Sequence, residues 1–174
     1  GTRFQDFTTG SWSLFANPNR KIACLNVAAY DAMKHGAMPL LADARVGLGE
    51  LSSELGDHTS SASIDGLKED WFAKVDPMTD APSDSNALAT DMQVIGAVQR
   101  SAGDNSVVMC AAGTMPGELH KLWKANRPMS YHMEYGFSCM GYEIAGAMGI
   151  KMAEPERDVL CFTGDGTYMM ANSE

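Results

Sequence analysis

Two short apolar runs in this chain end in glycine, and each glycine is followed by residues suited to holding an anion. The run Ser106–Ala112 (SVVMCAA) ends at Gly113-Thr114-Met115, and Asp158–Thr163 (DVLCFT) ends at Gly164-Asp165-Gly166-Thr167. Glycine admits positive φ and lets a ligand approach the backbone closely. A helix that starts just after such a turn offers unpaired N–H groups and partial positive charge. Two such tips could hold a diphosphate from both sides. Asp165, set between glycines, is a hard-oxygen ligand suited to Mg²⁺, and Thr167 has a hydroxyl for phosphate. Two familiar nucleotide sites are excluded. Gly141 to Gly146 has the glycine spacing of a P-loop, but Ala147 and Met148 stand where Lys and Ser/Thr are needed. No strand–GxGxxG–helix unit is present either.

Tips of this kind need parallel strands behind them. Lys21–Val27 (KIACLNV) and Met38–Ala42 (MPLLA) are strand candidates, separated by a helical stretch from Ala28 to His35. Ala44 to Leu55 follows as a helix with Leu48, Leu51 and Leu55 on one face. The stretch from Gly56 to Asn86 is rich in Ser, Asp, Thr and Pro, and a short helix around Trp71 and Phe72 is expected inside it. A second unit then begins. Ser85 is its expected N-cap, Ala87–Ala102 a helix striped by Leu88, Met92, Ile95 and Val98, and Glu118–Ala125 another helix. Ser130–Met133 is expected to be extended, and Met140–Ala153 to be a helix apolar on nearly every side and therefore buried. The fold class is α/β, with parallel sheets flanked by helices. Residues 1–60 are expected to form part of one domain, 61–83 a linker, and 84–174 part of another.

The 174 residues are 45% hydrophobic and 20% charged, a globular balance. Thirteen Lys and Arg against 22 Asp and Glu give a net charge of −9. That excess disfavours nonspecific binding to nucleic acid or anionic membrane, both of which need basic patches. No apolar run approaches the ~20 residues of a membrane span. Cys24, Cys110, Cys139 and Cys161 lack the short spacing of a metal or redox pair, so reduced, buried thiols in a cytoplasmic chain are expected.

Glu134 to Glu174 resembles the cofactor half of thiamine diphosphate enzymes of the acetolactate synthase type. The shared pattern is a glycine-containing turn, Met-Gly-aromatic, a small-residue helix, a strand, and Gly-Asp-Gly-Ser/Thr. Residues 1 to about 55 resemble the end of that family's central domain. Where family synthases usually show Gly-x-Gly-Thr-Met-Gly-Phe-Gly-x-Pro, this chain has Gly136, Phe137, Ser138, Cys139, Met140, Gly141, Tyr142, Glu143, Ile144 and Ala145. The run from His120 to Arg157 is closest to one branch, hydrolases that open a cyclic 1,2-dione in myo-inositol breakdown.

The resemblance implies thiamine diphosphate and Mg²⁺ as cofactors. Asp165 would bind the metal. Gly164, Gly166 and Thr167 would cradle the diphosphate from one side, with Gly113, Thr114 and Met115 on the other. Met140 would be an apolar wedge between the cofactor rings, and a main-chain carbonyl near Ser138 would accept a hydrogen bond from the aminopyrimidine. His132 and Glu134 are candidates for proton transfer or for binding substrate hydroxyls. The implied partner is a small-molecule cyclic polyol dione, in a homodimer or homotetramer with a shared active site. The family also uses a further metal ligand downstream and an activating Glu upstream, so the chain is expected to be a fragment, inactive alone. Rival expectations are an acetolactate-synthase-like carboligase or decarboxylase of 2-oxo acids, and a noncatalytic domain of the same fold.

Overall fold

The computed structural model describes residues 4–59, 63–84, 86–134 and 136–173. It divides into two units, residues 1–63 and 64–174.

In the first unit, α1 (Asp6–Thr9) precedes β1 (Ala23–Asn26), α2 (Ala29–Met33), β2 (Met38–Leu41) and α3 (Ala44–Leu55). The strands β1 and β2 pair in parallel, with Ala23 opposite Met38 and Asn26 opposite Leu41. The Asp43 carboxylate caps α3, accepting from the N–H groups of Arg45 and Val46 at 2.9 and 3.3 Å. This helix lies close on β1 at Gly47, where a Cβ would come within 2.8 Å of a Leu25 methyl. Leu48, Leu51 and Leu55 share the expected apolar face, yet all three are exposed among the described residues. His35 packs its ring on Trp12, with centroids 4.0 Å apart.

The second unit starts earlier than the composition suggests. Residues expected to lie in the 61–83 linker include α4 (Leu67–Val75) and a 3-10 turn over Asp76–Thr79. Val75 is buried in this unit's core, Phe72 packs against it, and the Trp71 indole N–H donates to the Lys121 carbonyl at 3.0 Å. Then come α5 (Asp91–Ser101), β3 (Val107–Cys110), α6 (Thr114–Leu122), β4 (Tyr131–Met133), α7 (Tyr142–Ala153), β5 (Val159–Cys161) and α8 (Asp165–Ala171). The sheet order is β4-β3-β5, all parallel, with Cys110 opposite Met133 and Met109 opposite Cys161.

Several boundaries differ from expectation. The helix α5 begins at Asp91, not Ala87, because Thr90 and Gln93 form a reciprocal capping box: Gln93 N–H donates to Thr90 Oγ1 at 3.3 Å, and Thr90 N–H to Gln93 Oε1 at 2.9 Å. Leu88 therefore falls outside the helix and is 95% exposed, and Ser85 lies outside the described residues. The helix α6 begins at Thr114, directly on the glycine turn, four residues ahead of Glu118.

The core lies on one face of this sheet. Val108, Cys110 and Phe162 meet Ile95 of α5 and Leu119 and Leu122 of α6. On the other face α7 crosses β3, so closely at Gly146 that a Cβ would overlap the Met109 methyl. The rest of α7 is less buried than its composition suggests, since Met148 and Met152 are exposed. At the amino ends of the strands the Arg157 guanidinium, 7% exposed, gathers backbone carbonyls from three segments. Its Nε donates to Asn105, one Nη to Met129 and the other to Ser106, at 3.3, 3.2 and 3.4 Å.

Gly96 shows packing overriding propensity. Alanine is the better helix former by about 1 kcal/mol. A Cβ at Gly96, however, would overlap the main-chain carbonyl of Thr79, which is also bonded by Arg100 at 3.1 Å and cannot simply rotate away. Gly96→Ala is expected to destabilise the protein by about 2 kcal/mol net, read as a lower urea midpoint at unchanged slope.

Candidate functional site

The two glycine tips are neighbours. Because β3 and β5 are adjacent and parallel, with Phe162 N–H donating to the Met109 carbonyl at 2.8 Å, Gly113 and Gly164 leave the same edge of the sheet. Adjacent strands lie about 4.8 Å apart. Gly113 has φ 124° and ψ −176°, a conformation that side chains rarely adopt. It turns the chain straight into α6, whose first-turn amides have no side-chain cap. Thr114 is exposed there, whereas Met115 turns half-buried onto the core.

At the second tip, α8 starts at Asp165, and its N-cap residue Gly164 offers no side chain. Asp165 Oδ1 accepts from the Gly166 N–H at 2.7 Å, which fixes the carboxylate, and Oδ2 accepts no hydrogen bond among the described residues. A Cβ at Gly164 or Gly166 would meet no atom within 4 Å, so the space beside Asp165 is open. Thr167 differs from its neighbours: it is buried at 3% exposure, so only Gly164, Asp165 and Gly166 are open at this tip. Among the described residues no three His, Cys, Asp or Glu side chains form a metal cluster.

The turn after β4 brings Met140 and Ser138 to the same edge. Ser138 has φ 53° and Gly141 φ 95°, both left-handed. A serine in that region costs roughly 1–2 kcal/mol that a glycine would not, and a glycine is what the family pattern has at this position. The turn is held from outside. Glu134 accepts from the N–H groups of Phe137 (Oε1, 2.8 Å) and Cys139 (Oε2, 2.7 Å), which hold its carboxyl below the usual value of 4.5. Folding stability from this clamp is therefore present above pH 4.5 and is lost as pH falls through the lowered value. Gly141 is buried against α8, where a Cβ would lie 3.1 Å from Ala171 Cβ. Its N–H donates at 2.9 Å to Glu143 Oε2. Glu143 is 0% exposed, and its Oε1 has no partner among the described residues.

The two proton-transfer candidates are thus separated by position. His132 lies in mid-β4 opposite Met109, and Gly113 is four residues beyond Met109. The histidine therefore lies inside the sheet, whereas Gly113 sits on the bend beyond the end of β3 at Cys110. Glu143, by contrast, was not among the expected site residues. The available sign was its place where the family pattern has glycine, since a carboxylate seldom replaces glycine without a local partner.

Of the four cysteines only Cys24 and Cys110 are buried. Burial pushes the Cys110 thiol up to about 11, partly offset by the Tyr131 hydroxyl at 3.7 Å. Stability linked to that thiol is full below pH 9 and lost as pH rises from 9 towards 11. Iodoacetamide at pH 8 is expected to label exposed Cys139 readily and to leave Cys110 unmodified until the protein unfolds, as read by peptide mass spectrometry.

Comparison with known proteins adds the following. Residues 111–174 match the family described as thiamine pyrophosphate enzyme, C-terminal TPP binding domain. The whole chain is 36% identical to the 3D-(3,5/4)-trihydroxycyclohexane-1,2-dione hydrolase of Clostridium perfringens and 35% identical to that of Bacillus licheniformis. It is also 36% identical to the corresponding protein of Geobacillus thermodenitrificans. The chain spans 31% of the length of the first two relatives and 30% of the third.

Proposed function

We propose, on the premise that residues 111–174 belong to the TPP binding domain family, that the full-length protein is a thiamine diphosphate- and Mg²⁺-dependent hydrolase. Its substrate in this reading is an inositol-derived cyclic 1,2-dione, opened by cleavage of a ring C–C bond. The observation that carries the reading is the pair of helix starts behind glycines on adjacent parallel strands, one of them bearing a carboxylate with a free oxygen. The names of the relatives supply the substrate class.

The residues present fit the cofactor. The helix starting after Gly113 offers first-turn amides as anion donors, as does that after Gly164 apart from the Gly166 amide, which Asp165 engages, and the space at Gly164 and Gly166 is open to a phosphate. Mg²⁺ is commonly held by one or two carboxylates together with phosphate oxygens. Asp165 Oδ2 is available as one of them. Met140, 47% exposed on the braced turn, offers an apolar surface to the cofactor's rings. Ser138 is assigned its main-chain carbonyl, and Thr114 its exposed hydroxyl, as polar contacts. When bound, the cofactor supplies a carbon nucleophile and an electron sink. The chain's own contribution is to bind, orient and screen it. His132 is assigned a structural place in the sheet. The reading includes a cytoplasmic homodimer or homotetramer in which other segments complete the active site.

The test is calorimetric titration of the full-length protein with thiamine diphosphate, with and without Mg²⁺, followed by an assay of dione consumption. Binding that needs the metal, together with ring opening, is expected. Heat of binding indifferent to Mg²⁺ would overturn the cofactor assignment. Turnover of pyruvate with the dione untouched would favour a carboligase.

A further inference from the structure

We propose that Glu134 and Glu143 are positioning residues that brace the 136–141 turn from its two ends and so set Met140 at the sheet edge. The ligand half of this proposal rests on the thiamine diphosphate reading; the brace itself does not. Three alternate amides of the turn, at Phe137, Cys139 and Gly141, donate to these two carboxylates at 2.8, 2.7 and 2.9 Å. Between them the backbone passes twice through positive φ, at Ser138 and Gly141. A turn with a left-handed serine relaxes towards extended conformations unless something over-determines it. Here that something is a carboxyl group on each side of Met140.

Neither carboxylate is placed for proton transfer. Both Glu134 oxygens are engaged, so moving a proton would require releasing a turn amide in each cycle. Glu143 is fully buried and is kept from solvent by the packing of α7. Three amides of this turn are spent on the two carboxyl groups, so fewer are left here for a phosphate than at the Gly113 tip.

The experiment uses the full-length protein with Glu134→Ala, Glu143→Met and Met140→Ala, since glutamine would keep an acceptor oxygen for a turn amide. Without cofactor, amide hydrogen exchange is expected to rise about 10-fold or more at Phe137 and Cys139 in E134A, and at Gly141 in E143M, the equivalent of losing one backbone bond each. M140A should leave exchange at all three unchanged. With cofactor, the Kd for thiamine diphosphate should rise about 10- to 100-fold in E134A, and M140A should reproduce that rise. At saturating cofactor the kcat of E134A should stay within about 3-fold of the original, whereas loss of a general acid or base costs about 10²–10⁴. A collapse of kcat in E134A at unchanged Kd would overturn the proposal, as would unaltered exchange at Phe137 and Cys139. If E143M fails to fold, Glu143→Ala is the substitute, and unchanged exchange at Gly141 there counts equally against the brace. Absence of any thiamine diphosphate binding by the unmodified protein sinks the functional reading alone, and the exchange results still decide the brace.

Discussion

Asp165→Ala is expected to weaken Mg²⁺-supported thiamine diphosphate binding by at least about 100-fold, since even the partners of a metal ligand are worth 10- to 100-fold. Three observations set that size. The carboxylate is fixed by the Gly166 amide at 2.7 Å, so little ordering entropy remains to be lost on binding. Its flanking glycines carry no side chain that could take over. No cluster of other acidic, histidine or cysteine side chains is available among the described residues. Asp165→Asn should retain the hydrogen bond to Gly166 and lose the charge, giving an intermediate Kd. Because the carboxylate also holds the Gly166 amide at the start of α8, the cofactor-free alanine variant should lose about 1 kcal/mol of stability. Titration calorimetry at fixed Mg²⁺ reads the first effect and urea denaturation the second. An unaltered Kd in the alanine variant would falsify the metal assignment.

Arg157→Met is expected to lower stability by roughly 3–4 kcal/mol, through loss of a buried cation that satisfies several carbonyls at once. The guanidinium reaches the backbone at Asn105, Met129 and Ser106, just ahead of β3 and β4, while residue 157 itself leads into β5. Its ion pair with Glu154 at 3.1 Å is the weaker part, since the glutamate is 44% exposed and screened by water. The carbonyls therefore dominate. Arg157→Lys should recover only part of the loss, because an ammonium cannot spread donors over a planar fork. Urea unfolding with unchanged slope would measure both, and Glu154→Gln should change the midpoint little. Equal stability of the Arg and Met proteins would show that water satisfies those carbonyls unaided.

The alternation of strand and helix was legible because buried parallel strands are nearly continuous apolar runs, as at Val107–Cys110, and because α3 has both an Asp cap and a leucine period. The turn after the apolar run 158–163 was legible as well, since glycine ends a strand, but Gly-Asp-Gly is a common turn and its reading as a metal tip came from the family resemblance. Boundaries were read less well where two cap signals competed. Thr90-x-x-Gln93 is a complete capping box in the sequence, but Ser85 stands nearer the start of the apolar stripe. Other features depended on long-range contact. Nothing in the composition of residues 64–79 says that Val75 and Phe72 join a core built around β3. Nor does local pattern show that Glu134 spends both oxygens on amides three and five residues ahead. Polar side chains that fold back on their own backbone look, in sequence, the same as side chains waiting for a substrate.

The connection from β4 to α7 has a further consequence. The strand β4 lies at one margin of the sheet while α7 packs on β3 and β5, so the connection between them leads from that margin towards the middle of the sheet. Glu134 and Glu143 stand at its two ends, and a residue added or removed between them would shift Met140 without altering the strand register below.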